Sequence, residues 1–375
     1  MSGTPPTLDP TLCRKRQDAL RSFLSENNLD GAVMFDRHYV YGLTGFWHEQ
    51  PLTPTAVLIK TDGGATVVTH FEDPVAPAAD EIASYVPNHL FTLKENLAGC
   101  VAEQLNPHLA GLSAIGTCHQ TPAAMLEGPE CRNITTEYQY IRRHKDADEV
   151  AAFEFTIECA DRAYHTARRM IEPGVEEVEV MAAMLEEATC AAGEFLSGWG
   201  QDFQCGVPGG FARPNRKVEP EEIFVLDVGV GVRGYRSDLC RAFSVNGNPT
   251  DEQIAAWDKV VEVMKAGEEY LKPGQSCREM YDFVHGELDG WNGYAFFHHA
   301  GHGVGLDAHE VPRINPGWDD TFEKGDLVAF EPGLYHESLS GGLRLENNYL
   351  ITEDGHRCLS HHPLDLVLED GGPST

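Results

Sequence analysis

The stretch FVLDVGVGVRGYRSDLCRAFSV, residues 224–245, decides how the second half of this chain folds. It starts as an apolar strand, but Asp227 stands between Leu and Val, and Asp238 follows eleven positions later. Burying an unpaired carboxylate in such a strand is costly. Because GVGVRGY contains three glycines in seven residues, it predicts a hairpin or bulge that returns the chain antiparallel and aims both carboxylates at one point. Two anions at one point require a cation.

Arginine and a metal ion are the two candidates for that cation. Either aspartate alone could be a structural acid that caps a turn or pairs with Arg236 or Arg241. For the pair of aspartates the sequence favours a metal ion, provided that the chain supplies further ligands.

Further candidate ligands lie in three downstream motifs: FFHHAGHGVGLDAHEVP (296–312), LVAFEPGLY (327–335) and GGLRLENNYLIT (341–352). The motifs contain two acids in apolar strand contexts and four histidines, namely Glu331, Glu346, His298, His299, His302 and His309. A lone histidine is usually structural, and we predict that role for His299. Four carboxylates with one imidazole form an oxygen-rich site, which suits a dinuclear Mn, Fe, Co or Zn centre better than a structural zinc.

The length of 375 residues exceeds what a single core usually supports and predicts two domains, 1–143 and 144–375. The boundary lies at IRRHKDADEVAAF (141–153), where a basic cluster leads into a helix with a capping box formed by Asp146 and Glu149. Before it, a helix over 12–29 is followed by alternating strands and helices, which predict an α/β domain. The strands are GAVMF, TAVLIK and ATVVTHF, and the helices are PAADEIASYV (77–86) and LAGCVAEQL (97–105).

The second domain contains a diverged internal repeat. A helix over 147–171 ends at IEPG and a second helix follows; about one hundred residues later, a helix opened by Thr250 and Gln253 ends at LKPG and another opens at Ser276. Each helix pair leads into glycine-rich strands. The repeat predicts a pseudo-symmetric α+β domain with a cleft between its halves.

Charge restricts the partners. The chain has 28 basic and 59 acidic residues, a formal net charge of −31, so its surface repels phosphate backbones and anionic lipid. We therefore predict no nucleic-acid and no membrane partner. The start of the chain shows no secretory pattern, and the ten cysteines lack C-x-x-C spacing, so we expect a soluble cytoplasmic protein with unpaired thiols.

The motifs LDVG, SDLCR, GHGVGLDAHEVP, EPGLY and GLRLEN, in this order, resemble those of the pita-bread metallopeptidases. In front of them, HYVYGLTGF and IRRHKDADEVAAF resemble the leading domain and junction of the creatinase, prolidase and aminopeptidase P branch. The similarity covers roughly residues 12 to 365. It implies an α+β fold in which a pita-bread catalytic domain follows a smaller α/β creatinase-like domain, and a homodimer.

The resemblance also implies a ligand set for two divalent ions: Asp227, Asp238, His302, Glu331 and Glu346. Asp238 and Glu346 would bridge the two ions. Manganese is the predicted metal, with iron, cobalt and zinc as alternatives, and the pair of ions would hold a bridging hydroxide as nucleophile.

The resemblance implies catalytic roles for further residues. His309 would contact substrate and, with Glu331, transfer protons, whereas His298 would face the scissile carbonyl. Arg344 would orient the bridging Glu346.

One departure from the family pattern bears on the substrate. Relatives carry another active-site histidine upstream of the first ligand aspartate, but no histidine lies between His165 and His285 here. The sequence also has EPEEIF and LENN where relatives have a Gly-Asp turn and Glu-Asp.

Three functions follow from this mixture of matches and departures. The first is a dinuclear metal hydrolase that cleaves Xaa-Pro bonds as a dipeptidase or an aminopeptidase. The second retains the metal site but acts on a small non-peptide substrate as a C–N hydrolase or lyase, and the third is a non-catalytic binding module.

Overall fold

The structure is a computed structural model that describes residues 3–48, 52–70, 75–87 and 96–367. The chain divides into two units, one over Pro6–Arg142 and one that combines Met1–Pro5 with Arg143–Thr375. Phe71, at the end of the predicted strand ATVVTHF, and residues 368–375 lie outside the described residues.

The unit Pro6–Arg142 is built around a six-stranded mixed sheet. Its strands are β1 (Gly31–Met34), β2 (Ala56–Lys60), β3 (Ala65–Thr69), β4 (Glu81–Ser84), β5 (Ala114–Thr117) and β6 (Glu130–Asn133), in the order β4-β3-β2-β1-β5-β6. Its helices are α1 (Pro10–Glu26), α2 (Arg37–Thr44), α3 (Leu97–Leu109) and α4 (Thr135–Ile141). Buried apolar residues of α3, such as Val101 and Leu105, pack on Val33, Leu58 and Ile115 of the sheet. The predicted α/β organisation is confirmed.

One predicted helix is wrong. PAADEIASYV was expected to be helical, but Glu81–Ser84 forms β4, which pairs parallel to β3 at the edge of the sheet. Local helix propensity is a weak preference, and the open edge of β3 supplies backbone partners that outweigh it.

The second unit contains four helices and eleven strands within its described residues. The helices are α5 (Ala147–Met170), α6 (Glu177–Ala192), α7 (Asp251–Gly267) and α8 (Cys277–Leu288). The strands are β7 (Gly198–Cys205), β8 (Ile223–Val232), β9 (Tyr235–Arg236), β10 (Cys240–Ser244), β11 (Gly301–Gly303), β12 (Glu310–Ile314), β13 (Leu327–Phe330), β14 (Gly333–His336), β15 (Gly341–Arg344), β16 (Asn347–Ile351) and β17 (His356–Cys358). The predicted capping boxes at Asp146 and Thr250 are present, and Ser276 caps α8.

The predicted repeat is visible as two similar layers. In the first half, α5 and α6 share an apolar core with the sheet of β7, β8 and β10. In the second half, α7 and α8 share a core with strands that include β12, β13 and β16 of a five-stranded sheet in the order β12-β11-β13-β16-β17. The α+β prediction for this unit is therefore confirmed.

The glycine-rich segment forms the predicted hairpin. β8 pairs antiparallel with β9 through a two-residue turn at Arg233 and Gly234, whose φ angles are +48° and +92°. Positive φ at both positions matches the twist of the flanking strands. The chain then returns beside β8, with Cys240 opposite Asp227.

The cysteines are free thiols, and seven of the ten are buried. Across the described ranges of the chain, no helix has the combination of length and apolar content that crossing a bilayer requires.

Candidate metal centre and active site

The five predicted ligands converge in the second unit from both of its halves. All are buried, at 8% exposure or less: Asp227 in β8, Asp238 before β10, His302 in β11, Glu331 after β13 and Glu346 between β15 and β16. One oxygen each of Asp227, Asp238 and Glu346 lie within 4.8 Å of one another. The sequence-predicted acids and imidazole therefore meet at one place.

Strand pairing and cross-links between the two halves produce this convergence. The hairpin register places Asp238 beside Asp227, because Cys240 is the strand partner of Asp227. The Asp238 backbone N–H donates to Oδ1 of Asn348 at 3.1 Å, and the Glu346 N–H donates to the Cys240 carbonyl at 3.0 Å. These bonds fix acids from opposite halves against one another.

The carboxylate cluster is short of positive charge. Oδ1 of Asp227 and Oε2 of Glu346 are buried and have no hydrogen-bond partner among the residues that the structure describes. Burial is the main reason why the pKa values of Asp227, Asp238, Glu331 and Glu346 are raised, and neighbouring carboxylates add to the rise. Buried carboxylate oxygens without a partner need a compensating group such as an ion or a water.

His302 points a lone pair at this cluster. Its Nδ1 lies 2.9 Å from the Gly303 carbonyl, to which an Nδ1–H donates, so Nε2 carries the lone pair. Burial lowers the pKa of His302 well below its ordinary value, which keeps the ring neutral. Nε2 faces Glu331 Oε1 at 3.5 Å and Asp238 Oδ2 at 3.8 Å. Two acceptors that face each other need a cation between them, and this donor set fits a divalent metal.

Arg344 takes a different partner from the one predicted. It was expected to orient Glu346, but its Nε and Nη2 donate to Oδ2 of Asp227 at 3.1 and 2.8 Å. Nη2 also forms an ion pair with Asp202, the residue opposite Asp227 on β7. The arginine therefore neutralises part of the cluster and holds Asp227 by one oxygen only.

The arginines considered as alternative partners for the aspartates do not fill that role. Arg241 is buried and donates mainly to backbone carbonyls, including those of Cys240 and Glu346 at 2.8 and 2.6 Å. The Arg236 guanidinium forms no ion pair with Asp227 or Asp238. Arg344 is the arginine that pairs with Asp227.

His298 is held within the protein through both ring nitrogens. Nδ1 lies 2.7 Å from the His299 carbonyl and must carry the proton, so Nε2 accepts from the Tyr335 hydroxyl at 2.8 Å. Arg344 donates to the same hydroxyl at 3.2 Å. Burial lowers the pKa of His298 to about 3, so the ring is neutral. A nitrogen contact to the scissile carbonyl, as predicted, would require one of these bonds to be released.

His309 and His299 line the open side of the cluster. His309 is exposed, and its ring centroid lies 4.0 Å from that of His302. His299 was predicted to be structural, yet its Nδ1 lies 3.3 Å from Glu331 Oε1 and it groups with His302 and Glu331 as a candidate ligand. The sequence signal that could have found it is its place in the histidine-rich stretch.

The sequence also matches known families over most of its length. Residues 152–353, more than half of the chain, match metallopeptidase family M24, and residues 16–128 match the creatinase/prolidase N-terminal domain. The chain belongs to metallopeptidase family M24.

Relatives of this M24 chain align along nearly its whole length. The Xaa-Pro dipeptidase of Pyrococcus furiosus is 26% identical over 368 residues, which cover 94% of this chain and 100% of the relative. The Xaa-Pro dipeptidase of Pyrococcus horikoshii is 25% identical over 358 residues, with 92% and 96% covered. The crystal structure of a prolidase from Pyrococcus horikoshii OT3 superposes with a TM-score of 0.76 at 24% identity and covers 94% of this chain and 100% of that one. The superposition shows the shared fold.

Membership of this family makes the M24 chain a metallopeptidase-type hydrolase and implies divalent metal ions. The buried, unpartnered oxygens of Asp227 and Glu346 fit that implication.

A glycine pair upstream of Asp227 packs closely on β7 in this M24 chain. Gly209 and Gly210 pack against the side chains of Asp202 and Gln204 on β7, and a Cβ on either glycine would collide with them. Sequence reasoning did not select Asp202, although an acid in the strand GWGQDFQC was a usable signal. A carboxylate paired to Arg344 therefore stands close to this segment.

Proposed function

We propose that this chain is a divalent-metal-dependent exopeptidase that hydrolyses Xaa-Pro bonds. The observation that carries the proposal is the meeting of four buried acids and a neutral imidazole around orphaned oxygen atoms. The names of the Pyrococcus relatives, both Xaa-Pro dipeptidases, supply the substrate class.

In this proposal Asp227, Asp238, His302, Glu331 and Glu346 hold two ions. Manganese is the first to test, with iron, cobalt and zinc as alternatives, because carboxylate-rich sites with one imidazole accept all four. When bound, a pair of such ions supplies an activated water as nucleophile and a Lewis acid for the scissile carbonyl.

The chain itself supplies the proton transfer. His309 lies beside His302, with the residue as a whole open to solvent. Partial desolvation of its imidazole, and then the charge of Arg236, lower its pKa. The ring is therefore neutral near pH 7 and can accept a proton at a ring nitrogen. Glu331 is the second candidate, because its carboxylate lies beside the rings of His299 and His302, at 3.3 and 3.5 Å.

The test combines metal content with product release. The full chain is reconstituted with each metal, its bound metal is counted, and proline release from Xaa-Pro dipeptides is measured. Asp238→Asn is expected to lose metal and activity while its circular dichroism stays unchanged, whereas Asp258→Asn on the exposed face of α7 keeps both. No release from any Xaa-Pro peptide at any metal loading would overturn the peptidase proposal.

A small non-peptide substrate is the second candidate function. It is favoured by the absence of histidine between His165 and His285 and by the packing of Gly209 and Gly210 against acidic and amide side chains. Metal binding without peptide cleavage supports this candidate, and failure to bind any of the four metals supports a binding module.

The oligomeric state and the compartment stay predictions. The resemblance to the creatinase and prolidase branch predicts a homodimer, which light scattering of the purified chain tests.

A further inference from the structure

Two histidines and an aspartate form a second candidate metal cluster in the same unit. The cluster consists of Asp161, His165 and His362, each of which offers a ligand atom within 4.8 Å of the other two. Asp161 and His165 belong to α5, and His362 belongs to the 359–367 segment that follows β17. The cluster shares no residue with the ligand set of the main centre, so the proposed hydrolysis gives it no role.

Helix spacing brings Asp161 and His165 together on one face of α5. Residues four apart lie one turn from each other along a helix. Oδ2 of Asp161 lies 3.4 Å from Nε2 of His165, and the two side chains are 26% and 39% exposed. Both groups therefore stand at the boundary with solvent, where an ion can reach them.

His362 closes the cluster from the buried side. Its side chain is 0% exposed, and its Nδ1 lies 2.9 Å from Oδ1 of Asp161. Nε2 is buried without a hydrogen-bond partner among the described residues, so Nδ1 is the nitrogen that faces the other two groups. Burial lowers the pKa of His362 to about 4, so the ring is neutral, as a metal-ligating imidazole must be.

Histidines are concentrated around this one carboxylate. Burial by itself raises the pKa of Asp161, but the surrounding histidines outweigh burial and lower it. They are His362, His165 and the exposed His361. The chain has 17 histidines among 375 residues, so three beside one acid are a local excess of imidazole.

The distances within the cluster match those of a zinc site. Zinc bonds to nitrogen and oxygen of about 2.0–2.1 Å place neighbouring ligand atoms of a tetrahedron about 3.3 Å apart. The contacts of 2.9 and 3.4 Å lie on either side of that value. An ion can therefore replace the proton between Nδ1 of His362 and Asp161 after small movements of the side chains, and the neutral ring then carries its proton on Nε2.

We propose that Asp161, His165 and His362 bind one Zn²⁺ ion, which fastens the 359–367 segment to α5. Two imidazoles with one carboxylate are a donor set that zinc accepts, whereas the main centre is rich in oxygen. The exposed side of the cluster leaves a fourth position for water or for His361.

The fastened segment is tied to the main centre through Arg241. Its Nη2 donates to the His362 carbonyl, and its Nη1 donates to the Glu346 carbonyl, both at 2.6 Å. Zinc that holds His362 in place therefore also restrains the backbone to which Arg241 is bound. We expect zinc binding at the cluster to raise Tm, because the ion binds the folded chain.

The test measures zinc binding to the full chain with Asp238→Asn in the main centre, so that zinc bound there contributes little. Calorimetric titration with Zn²⁺ is expected to show one bound ion and a higher Tm. Adding His165→Gln is expected to weaken zinc binding by at least about 10-fold and to remove most of the rise in Tm. Asp161→Asn is expected to do the same, although its amide oxygen still accepts from His362.

His285→Gln is the matched control. His285 Nε2 lies 3.7 Å from Asp289 Oδ2, a helical pair four residues apart for which the described residues offer no third ligand. This variant is expected to bind zinc as tightly as its parent. Equal zinc affinity and an equal rise in Tm in His165→Gln, Asp161→Asn and the parent chain would overturn the site.

Anomalous diffraction at the zinc edge gives a second, independent measurement. Crystals of the full chain grown with Zn²⁺ are expected to show a peak between His165 and His362, and peaks confined to the main centre would refute the inference. Because no residue is shared between the two sites, a chain that cleaves no Xaa-Pro peptide but shows this peak loses the peptidase proposal and keeps the zinc site.

Discussion

Arg344 donates two hydrogen bonds to Oδ2 of Asp227, at 3.1 and 2.8 Å, and leaves Oδ1 of the same carboxylate buried without a partner among the described residues. Arg344 thus holds one oxygen of the Asp227 carboxylate, and the other oxygen remains free on the side of the cluster. Since Arg344 also contacts the Tyr335 hydroxyl, one guanidinium links Asp227 to His298.

Arg344→Gln is expected to weaken metal binding about 10- to 100-fold, because Asp227 loses the contact that fixes the direction of Oδ1. Calorimetric titration of the metal-free variant with Mn²⁺ measures the change. Arg162→Gln removes an arginine paired with Glu187 on the partly exposed surface and serves as control. Equal manganese affinities in wild type and Arg344→Gln would show that the arginine does not orient the site.

The sequence was sufficient to predict which residues form the site, but not all of the contacts that those residues make. Acids in apolar strands and glycines in GVGVRGY are local signals, so Asp227, Asp238 and the hairpin could be predicted before the structure was known. The contact of Arg344 with Asp227 instead of Glu346 depends on the packing of β15 against β8, and no local pattern encodes it.

Long-range packing also accounts for Asp202, which the sequence did not single out, and for β4, which was predicted as a helix. Asp202 enters the site because the β7–β8 register places it opposite Asp227. β4 replaced a predicted helix because its partner is the edge of β3. Both outcomes depend on residues far away in the sequence.

Metal stabilisation of the fold is expected to grow with pH. The unfolded chain releases carboxyl protons near an ordinary pKa of about 4, whereas burial raises the pKa values of Asp238, Glu331 and Glu346 in the folded chain. As pH rises above 4, the unfolded state therefore loses protons that the metal-free folded state retains, and stability falls. Divalent ions replace those protons.

The measurement is the rise in Tm on adding Mn²⁺ at pH 5.5 and at pH 7.5. The rise is expected to be larger at pH 7.5. Asp238→Asn lacks one of the ligands, so its Tm should rise much less than that of the wild type at both pH values. An equal rise at the two pH values in the wild-type chain would contradict this account of the carboxyl cluster.

The buried ion pair next to His309 is expected to be essential for stability. Lys145 Nζ lies 2.8 Å from Glu310 Oε2, and the two side chains are 1% and 0% exposed. Lys145→Met leaves the Glu310 carboxylate buried without its cation, which costs about 3–5 kcal/mol. The unfolding midpoint in urea measures the loss.

Two further variants separate charge burial from general damage at Lys145. Adding Glu310→Gln to Lys145→Met should restore part of the lost stability, because the uncompensated charge is gone. Lys259→Met removes a partly exposed pair with Glu287 and is expected to cost about 1 kcal/mol or less. A Lys145→Met midpoint that falls no further than that of Lys259→Met would refute the argument.

Two helix glycines should respond in opposite directions to alanine. At Gly267, at the end of α7, a Cβ would lie 2.5 Å from Cζ of Phe330, the residue before Glu331, so Gly267→Ala overpacks the core at a cost of about 1–3 kcal/mol. At Gly286, within α8, a Cβ meets no atom within 4 Å, so Gly286→Ala gains about 0.5–1 kcal/mol from helix propensity. Urea unfolding of both variants tests the sign, and Mn²⁺ titration of Gly267→Ala tests whether displacing Phe330 also disturbs Glu331. If both midpoints rise, the contact with Phe330 relaxes at no cost, and the core behind Glu331 is looser than this packing implies.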